Sequence, residues 1–129
     1  MGIAILFKNA FKLDILKEIK DPGGSFLIVS IKIHEHLLTV VAMSGRINDD
    51  PQLYRNLQSK IESLGRSSLI IGGDWNVLLN YSRDAINYLH QNNEKSHKQI
   101  QWMIEQLYLI DTYRVWHPHM KRYTWRGPR

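Results

Sequence analysis

The sequence predicts a mixed α/β layered fold, and three features of its apolar patterning carry that prediction. Leu27, Val29, Ile31 and Ile33 alternate within Phe26–Ile33 and share one face at the period of a strand. Leu53, Leu57, Ile61 and Leu64 recur at spacings of four, four and three, which stacks them in one stripe along a helix. Ser68–Ile71 then returns to a short apolar run that opens into Gly72-Gly73-Asp74. A chain of 129 residues is of ordinary size for one domain, so residues 1–129 are read as a single unit.

Taken in order, Gly2–Phe7 is short and apolar and reads as a strand. Leu13, Ile15 and Ile19 mark a second strand interrupted by lysines. Asp21-Pro22-Gly23-Gly24 is a turn, because Pro presets φ and Gly reaches positive φ without strain. After Phe26–Ile33, His34-Glu35-His36 turns the chain into Leu37–Met43, whose β-branched and apolar residues suit a buried strand. Asp50 is placed to cap a helix with Pro51 in its first position, and Gly65 to end it. Ser68–Ile71 reads as a short buried strand, and polar, irregular Asn80–Asn93 as a loop. Ile100, Met103, Ile104 and Leu107 stripe a second helix over Glu94–Tyr108. The tail from Asp111 to Arg129 is rich in aromatics and arginine.

Composition narrows the function classes. With 43% hydrophobic and 22% charged residues, the chain is globular rather than disordered. Lys and Arg outnumber Asp and Glu by 17 to 12, and the net charge of +5 favours polyanionic partners, since neutralising phosphates releases counterions. The absence of cysteine excludes disulfides and thiolate metal sites. Ile3–Phe7 and Leu37–Met43 fall well short of the roughly 18 residues of a membrane span, and the apolar start lacks the basic leader of a secretory signal. These readings suit a reducing compartment, and the expectation is an intracellular chain that does not span a membrane.

The segment with the strongest chemical content is Ile70-Ile71-Gly72-Gly73-Asp74-Trp75-Asn76. A strand delivers an Asp and an Asn, two residues apart, at its C-terminal end, where ligands of α/β sheets sit. On extended chain the two side chains point the same way. Asp74 supplies a carboxylate that can take a proton or orient a water. Asn76 adds a donor and an acceptor without charge, so it can approach a phosphate oxygen. The competing reading is a Gly-Asp turn in which Asp74 caps backbone groups.

This Gly-Asp-Trp-Asn segment resembles the Gly-Asp-Phe/Trp-Asn motif of the endonuclease/exonuclease/phosphatase superfamily. Further segments resemble, in order, the endonuclease domain of LINE-type non-LTR retrotransposons. They are Gly2-Ile3-Ala4-Ile5-Leu6-Phe7, Lys20-Asp21-Pro22-Gly23-Gly24, Asn48-Asp49-Asp50-Pro51, Leu109-Ile110-Asp111-Thr112-Tyr113-Arg114, His117-Pro118 and Tyr123-Thr124-Trp125. The resemblance implies a deoxyribonuclease I-like fold, a four-layer β-sandwich with flanking helices, present in part and without its terminal strands. It implies a magnesium-dependent cut in DNA, with a reverse transcriptase elsewhere in a larger polyprotein and a nuclear or cytoplasmic setting. Asp74 matches the acidic residue that handles the nucleophilic water or the leaving oxygen, Asn76 the residue at the scissile phosphate, and Thr124 a threonine at the DNA-contacting edge. The Leu-Ile-Asp to Tyr-Thr-Trp run argues against the phosphoinositide and sphingomyelin branches.

The chain departs from the pattern in three places. The family's metal-holding Glu lies upstream of the Gly-Val-Ala strand and its Asp-His pair downstream of Tyr-Thr-Trp, and neither has a counterpart here. The tyrosine expected to reach the phosphate is replaced by Ser44. Arg46 is a candidate replacement contact, and Arg126 belongs with Lys121, Arg122 and Arg129 to a basic and aromatic segment able to track a phosphate backbone or to form an ordinary solvated loop. The expectation is a fragment with impaired hydrolysis, whether a degenerate copy or part of a larger polypeptide; the alternative is an inactive remnant that binds nucleic acid. Missing strands are expected to leave bare sheet edges and uncovered apolar faces. No residue is assigned to metal: His34 and His36 flank a turn, His117 and His119 bracket Pro118, and Asp84 is not taken as a ligand. Trp75 and Trp102 are read as packing residues.

Overall fold

The computed structural model describes residues 2–87 and 92–124. Arg126, expected to contact substrate, lies outside the described residues, as do Trp125 and Arg129. Strands β1 (Asp14–Lys20), β2 (Phe26–Ile33), β3 (His36–Ser44) and β4 (Ser68–Asp74) form one sheet in the order β1-β2-β3-β4. Helix α1 (Pro51–Glu62) connects β3 to β4, and α2 (Tyr81–Asp84), α3 (Glu94–Gln106) and α4 (Thr112–Trp116) follow. The fold is therefore mixed α/β, as the patterning predicts.

Local chemistry explains each connection. In the first hairpin, Gly24 takes φ 74° and donates its N–H to the Asp21 carbonyl at 2.9 Å, while the Asp21 carboxylate accepts from Ser25 N at 2.8 Å. The second hairpin is a two-residue turn with positive φ at His34 and Glu35, a shape that matches the twist of the strands it joins. Because β1, β2 and β3 run antiparallel, short turns suffice; β4 is parallel to β3, and so a helix must carry the chain back. Gly65, at φ 78°, ends that crossover.

The core lies on the sheet face that α1 and α3 cover. Phe26 and Ile28 from β2, and Val41 and Met43 from β3, meet Leu53, Tyr54, Leu57 and Ile61 of α1 and Ile100 and Met103 of α3. Leu27, Val29, Ile31 and Ile33 point to the other face, and Val29 and Ile31 are also buried. Central strand β2 is thus apolar on both sides. That second face continues through Val40 to Ile70, which is 56% exposed on β4.

Several expectations need correction. Residues 2–7 pair with no strand among the described residues, and Leu6 is 91% exposed. An apolar run becomes a strand only where a neighbour takes up its backbone groups. Strand β4 is an edge rather than a buried strand: only Leu69 and Ile71, which face the helices, are half-buried. Asp50 stands at the α1 N-cap without a side-chain capping bond, because its carboxylate is taken by Arg46 at 2.6 Å. Helix α3 stops at Gln106, two residues early, where Tyr108 adopts φ 52° and Leu109 N reaches back to the Ile104 carbonyl at 2.9 Å. Within the expected loop and tail, Asn80 and Asp111 cap two short helices by accepting from Arg83 N and Arg114 N.

Candidate active site

Three connections meet at one end of the sheet. The parallel strands β3 and β4 both finish there, with Ser44 beside Asp74, and β2 starts there, with Phe26 beside Met43. The hairpin Asp21–Ser25, the loop Gly45–Asp50 and the turn Asp74–Asn76 therefore share that end.

The turn is tightly determined. Asn76 takes φ 50°, so Asp74 and Asn76 do not present their side chains from extended chain as the sequence suggests. Instead the Asp74 Oδ1 accepts from Asn76 N at 3.0 Å, the local bond by which Asp favours turns. Gly45 N donates to the Asp74 carbonyl at 2.6 Å, and Asn76 Nδ2 donates to the Gly45 carbonyl at 2.7 Å. The Tyr54 hydroxyl donates to the Trp75 carbonyl at 2.8 Å. Asp74 and Asn76 remain exposed, while Trp75 turns inward and packs against the core, its ring stacked on Tyr54 at 6.2 Å between centroids.

Chemically, the arrangement leaves Asp74 with an open carboxylate oxygen and Asn76 with its Oδ1 and a second N–H for a ligand. Burial, with the Asp50, Asp74 and Asp49 carboxylates nearby, pushes the Tyr54 hydroxyl up to about 12, so it remains a donor at neutral pH. Tyr54 thus serves as a brace beneath the turn rather than as an acid or base.

Arg46 is at the same end, held by Asp50 and lying over the first hairpin: a Cβ on Gly23 would stand 3.0 Å from its Nη2. Its side chain is 46% exposed, which leaves part of the guanidinium open to an anion although Asp50 offsets its charge. Ser44, in place of the expected tyrosine, lies in register with Asp74. Thr124 is exposed, and among the described residues no hydrogen bond ties it to the Asp74–Asn76 turn. The structure thus brings Asp74, Asn76 and Arg46 to one end of the sheet and does not join Thr124 to them.

Other carboxylates near these connections are engaged. Asp49 accepts from Lys95 N at 3.1 Å and from Ser96 N and Oγ at 2.8 Å each, capping α3 from a distant loop. Burial acts to raise its pKa, but the hydrogen bonds from Ser96 and Lys95 outweigh it and hold the carboxyl below the usual carboxylate range. Asp84 accepts from Asn80 N at 3.0 Å and pairs with Arg83 and with Arg114, the latter at 2.7 Å. Among the described residues no three His, Asp or Glu side chains gather where they could hold a metal ion. Asp74 alone offers one carboxylate, and the donor set described here does not fit a resident magnesium ion.

Tyr54 and Gly45 hold the turn without having been singled out as site residues in the sequence, and Asp49, Asp84 and Arg114 were named there without the partners they take in the structure. Tyr54 carried one usable signal: beside a buried stripe, its hydroxyl needs a partner. Trp102, expected to pack, is 55% exposed and lines a groove of about 300 Å³ with Arg55, Gln58, Glu62 and Gln99 between α1 and α3. It projects from the outer side of α3, off the buried line of Ser96, Ile100 and Met103. No helix among the described residues is long and apolar enough to cross a membrane. No family model matches the chain.

Proposed function

We propose that the chain is part of a divalent-metal-dependent DNA endonuclease domain of the retrotransposon type, impaired in phosphodiester hydrolysis as it stands. One observation carries this reading: Asp74 and Asn76 stand exposed on a rigid turn at the carboxyl end of the parallel β3/β4 pair. Asp74 would orient or deprotonate the attacking water, or protonate the leaving oxygen, and Asn76 would contact the phosphate. Arg46 on the same rim, and Thr124 and Arg126 in the tail, are the proposed substrate contacts. Magnesium would need carboxylates beyond those described, so no step is assigned to it. Duplex DNA is the proposed partner, with a reverse transcriptase in the same polyprotein and a nuclear or cytoplasmic location.

The small donor set favours a second reading, in which the chain binds nucleic acid without cutting it. A plasmid-nicking assay with magnesium separates the two. The first expects slow nicking that falls to background in Asp74→Ala; equal rates for the two proteins would remove Asp74 from the chemistry. The second expects salt-dependent binding with no nicking by either protein.

A further inference from the structure

A half-buried ion pair ties the tail to the loop that follows the Asp74–Asn76 turn. Arg114 Nη2 lies 2.7 Å from Asp84 Oδ1, and the two side chains are only 12% and 16% exposed. Each partner is fixed on its own side. Asp84 closes α2, its second oxygen accepting from Asn80 N at 3.0 Å. Arg114 lies in α4, whose cap Asp111 accepts the Arg114 N–H at 3.1 Å. The guanidinium also donates through Nη1 to the Met120 carbonyl at 2.6 Å, and the Tyr113 hydroxyl reaches Met120 Sδ at 3.3 Å. Arg114 therefore grips both the loop and the residue immediately before Lys121 and Arg122, which are exposed.

We propose that the Asp84–Arg114 pair is a staple that positions the basic stretch Lys121-Arg122 beside the loop following the Asp74–Asn76 turn, so that these two side chains contact nucleic-acid phosphates as part of one surface with that turn. The inference rests on the nucleic-acid reading above and assigns the contacts to particular residues. A surface ion pair of long, mobile side chains holds little in place. This one is half-buried, and its guanidinium is shared with a backbone carbonyl, so losing Asp84 leaves Arg114 without an ionic partner among the described residues, whereas Asp84 without Arg114 keeps Arg83. Lys121 and Arg122 make no ion pair among the described residues, which leaves their charges available to phosphates.

The test turns on a difference of sign. Asp84→Ala raises the formal net charge by one from +5, and simple electrostatics expects tighter DNA binding. The staple expects weaker binding, because two positioned cations are released. Duplex affinity is measured across a salt series for wild type, Asp84→Ala and the double variant Lys121→Gln/Arg122→Gln, which leaves the staple and fold intact. Each phosphate contact contributes about one unit to the salt slope, so both variants are expected to lose roughly two units. Limited trypsin digestion supplies a readout without DNA: cleavage after Lys121 and Arg122 rises several-fold in Asp84→Ala, while cleavage after Lys98 in α3 does not change. Asp84→Ala binding as tightly as wild type or tighter, an unchanged slope in the double variant, or an unchanged digestion pattern each overturns the staple. If wild type binds no duplex at low salt, the nucleic-acid reading itself fails, and with it this use of the pair.

Discussion

The paired glycines before Asp74 make unequal demands, and substituting each by alanine measures the difference. Gly73 has φ +142°, a conformation side chains rarely adopt, and a Cβ there would run into the Met43 carbonyl oxygen, with the Met43 C and N at 2.8 and 2.9 Å. These are backbone atoms of the strand paired with β4, so they cannot swing aside. Accommodation requires β4 to part from β3, which breaks the Gly45 N bond to the Asp74 carbonyl. A strained backbone costs about 1–3 kcal/mol, forced overpacking about 1–3 and a lost hydrogen bond about 1. Together these give roughly 3–7 kcal/mol against a total stability of about 5–15. Gly72 is the control: a Cβ there meets nothing within 4 Å, and its φ lies outside the left-handed range. Alanine at 72 is expected to be neutral or to stabilise by about 0.5 kcal/mol, through the smaller entropy lost on folding. Urea unfolding followed by far-UV circular dichroism reads both. Gly73→Ala should lower the midpoint by more than about 1 M, given slopes of about 1–3 kcal/mol per molar. Equal midpoints for the two variants would refute the close approach of Gly73 to Met43.

Two further predictions concern the groups beneath and beside the turn. Tyr54→Phe keeps the stack on Trp75 but loses the bond to its carbonyl, so it should cost about 1 kcal/mol at neutral pH. The hydroxyl's pKa is raised from 10.0 to about 12, so between those values the unfolded chain gives up a proton that the folded chain keeps, and stability falls as pH rises. Wild type should therefore weaken more steeply than Tyr54→Phe over that window, and parallel curves would contradict the assignment. Asp49→Ala removes the side chain that caps α3 and should cost about 1 kcal/mol near neutrality. Because the Asp49 pKa is depressed, its contribution is present above the ordinary value of 3.8 and is lost as pH falls through the lower folded value. The two stability curves should converge in acid; a constant gap would count against the cap.

What the sequence showed best was what depends on neighbours along the chain. A period-two apolar run located β2, the β-branched and apolar run Leu37–Met43 located β3, the stripe from Leu53 to Ile61 located α1, and Asp21-Pro22-Gly23-Gly24 located a hairpin. Edge and centre were harder to tell apart, because Leu69, Ile70 and Ile71 are as apolar as a central strand while β4 has a neighbour on one side only. The end of α3 was missed because Tyr108, not glycine, takes the left-handed position. Asp50 looked like a cap and Asp49 did not. The roles fell the other way because Arg46 claims Asp50, while a loop far away in sequence brings Asp49 to Ser96. The Asp49 cap rests on a contact between residues 47 apart, which no local pattern encodes, whereas Arg46 and Asp50 are only four apart and their pairing competes with the cap locally. At the site, Asp74 and Asn76 were legible as a pair, but their braces, Gly45 and Tyr54, were not.

The Asp74–Asn76 turn also separates what the fold requires from what chemistry would require. Asn76 is held at φ 50°, a left-handed conformation that Asn tolerates better than most residues, by bonds from its own N–H and Nδ2. At position 74 that network calls for an oxygen able to accept the Asn76 N–H, and an amide oxygen serves as well as a carboxylate. The fold therefore has little need for the negative charge of Asp74, which is exposed and is not among the described ion pairs. A group whose charge does nothing for the fold, on a turn so fully fixed, is suited to acting on something outside it. Asp74→Asn tests that separation more sharply than alanine does. The variant should keep its unfolding free energy within about 0.5 kcal/mol of wild type, as an isosteric exchange at an exposed site does. If wild type nicks DNA as proposed, the variant should lose that activity, because an amide neither accepts the proton of the attacking water nor delivers one to the leaving oxygen. Nicking retained by Asp74→Asn would make the residue a turn former and nothing more. A stability loss as large as that of alanine would show that the charge itself serves the fold.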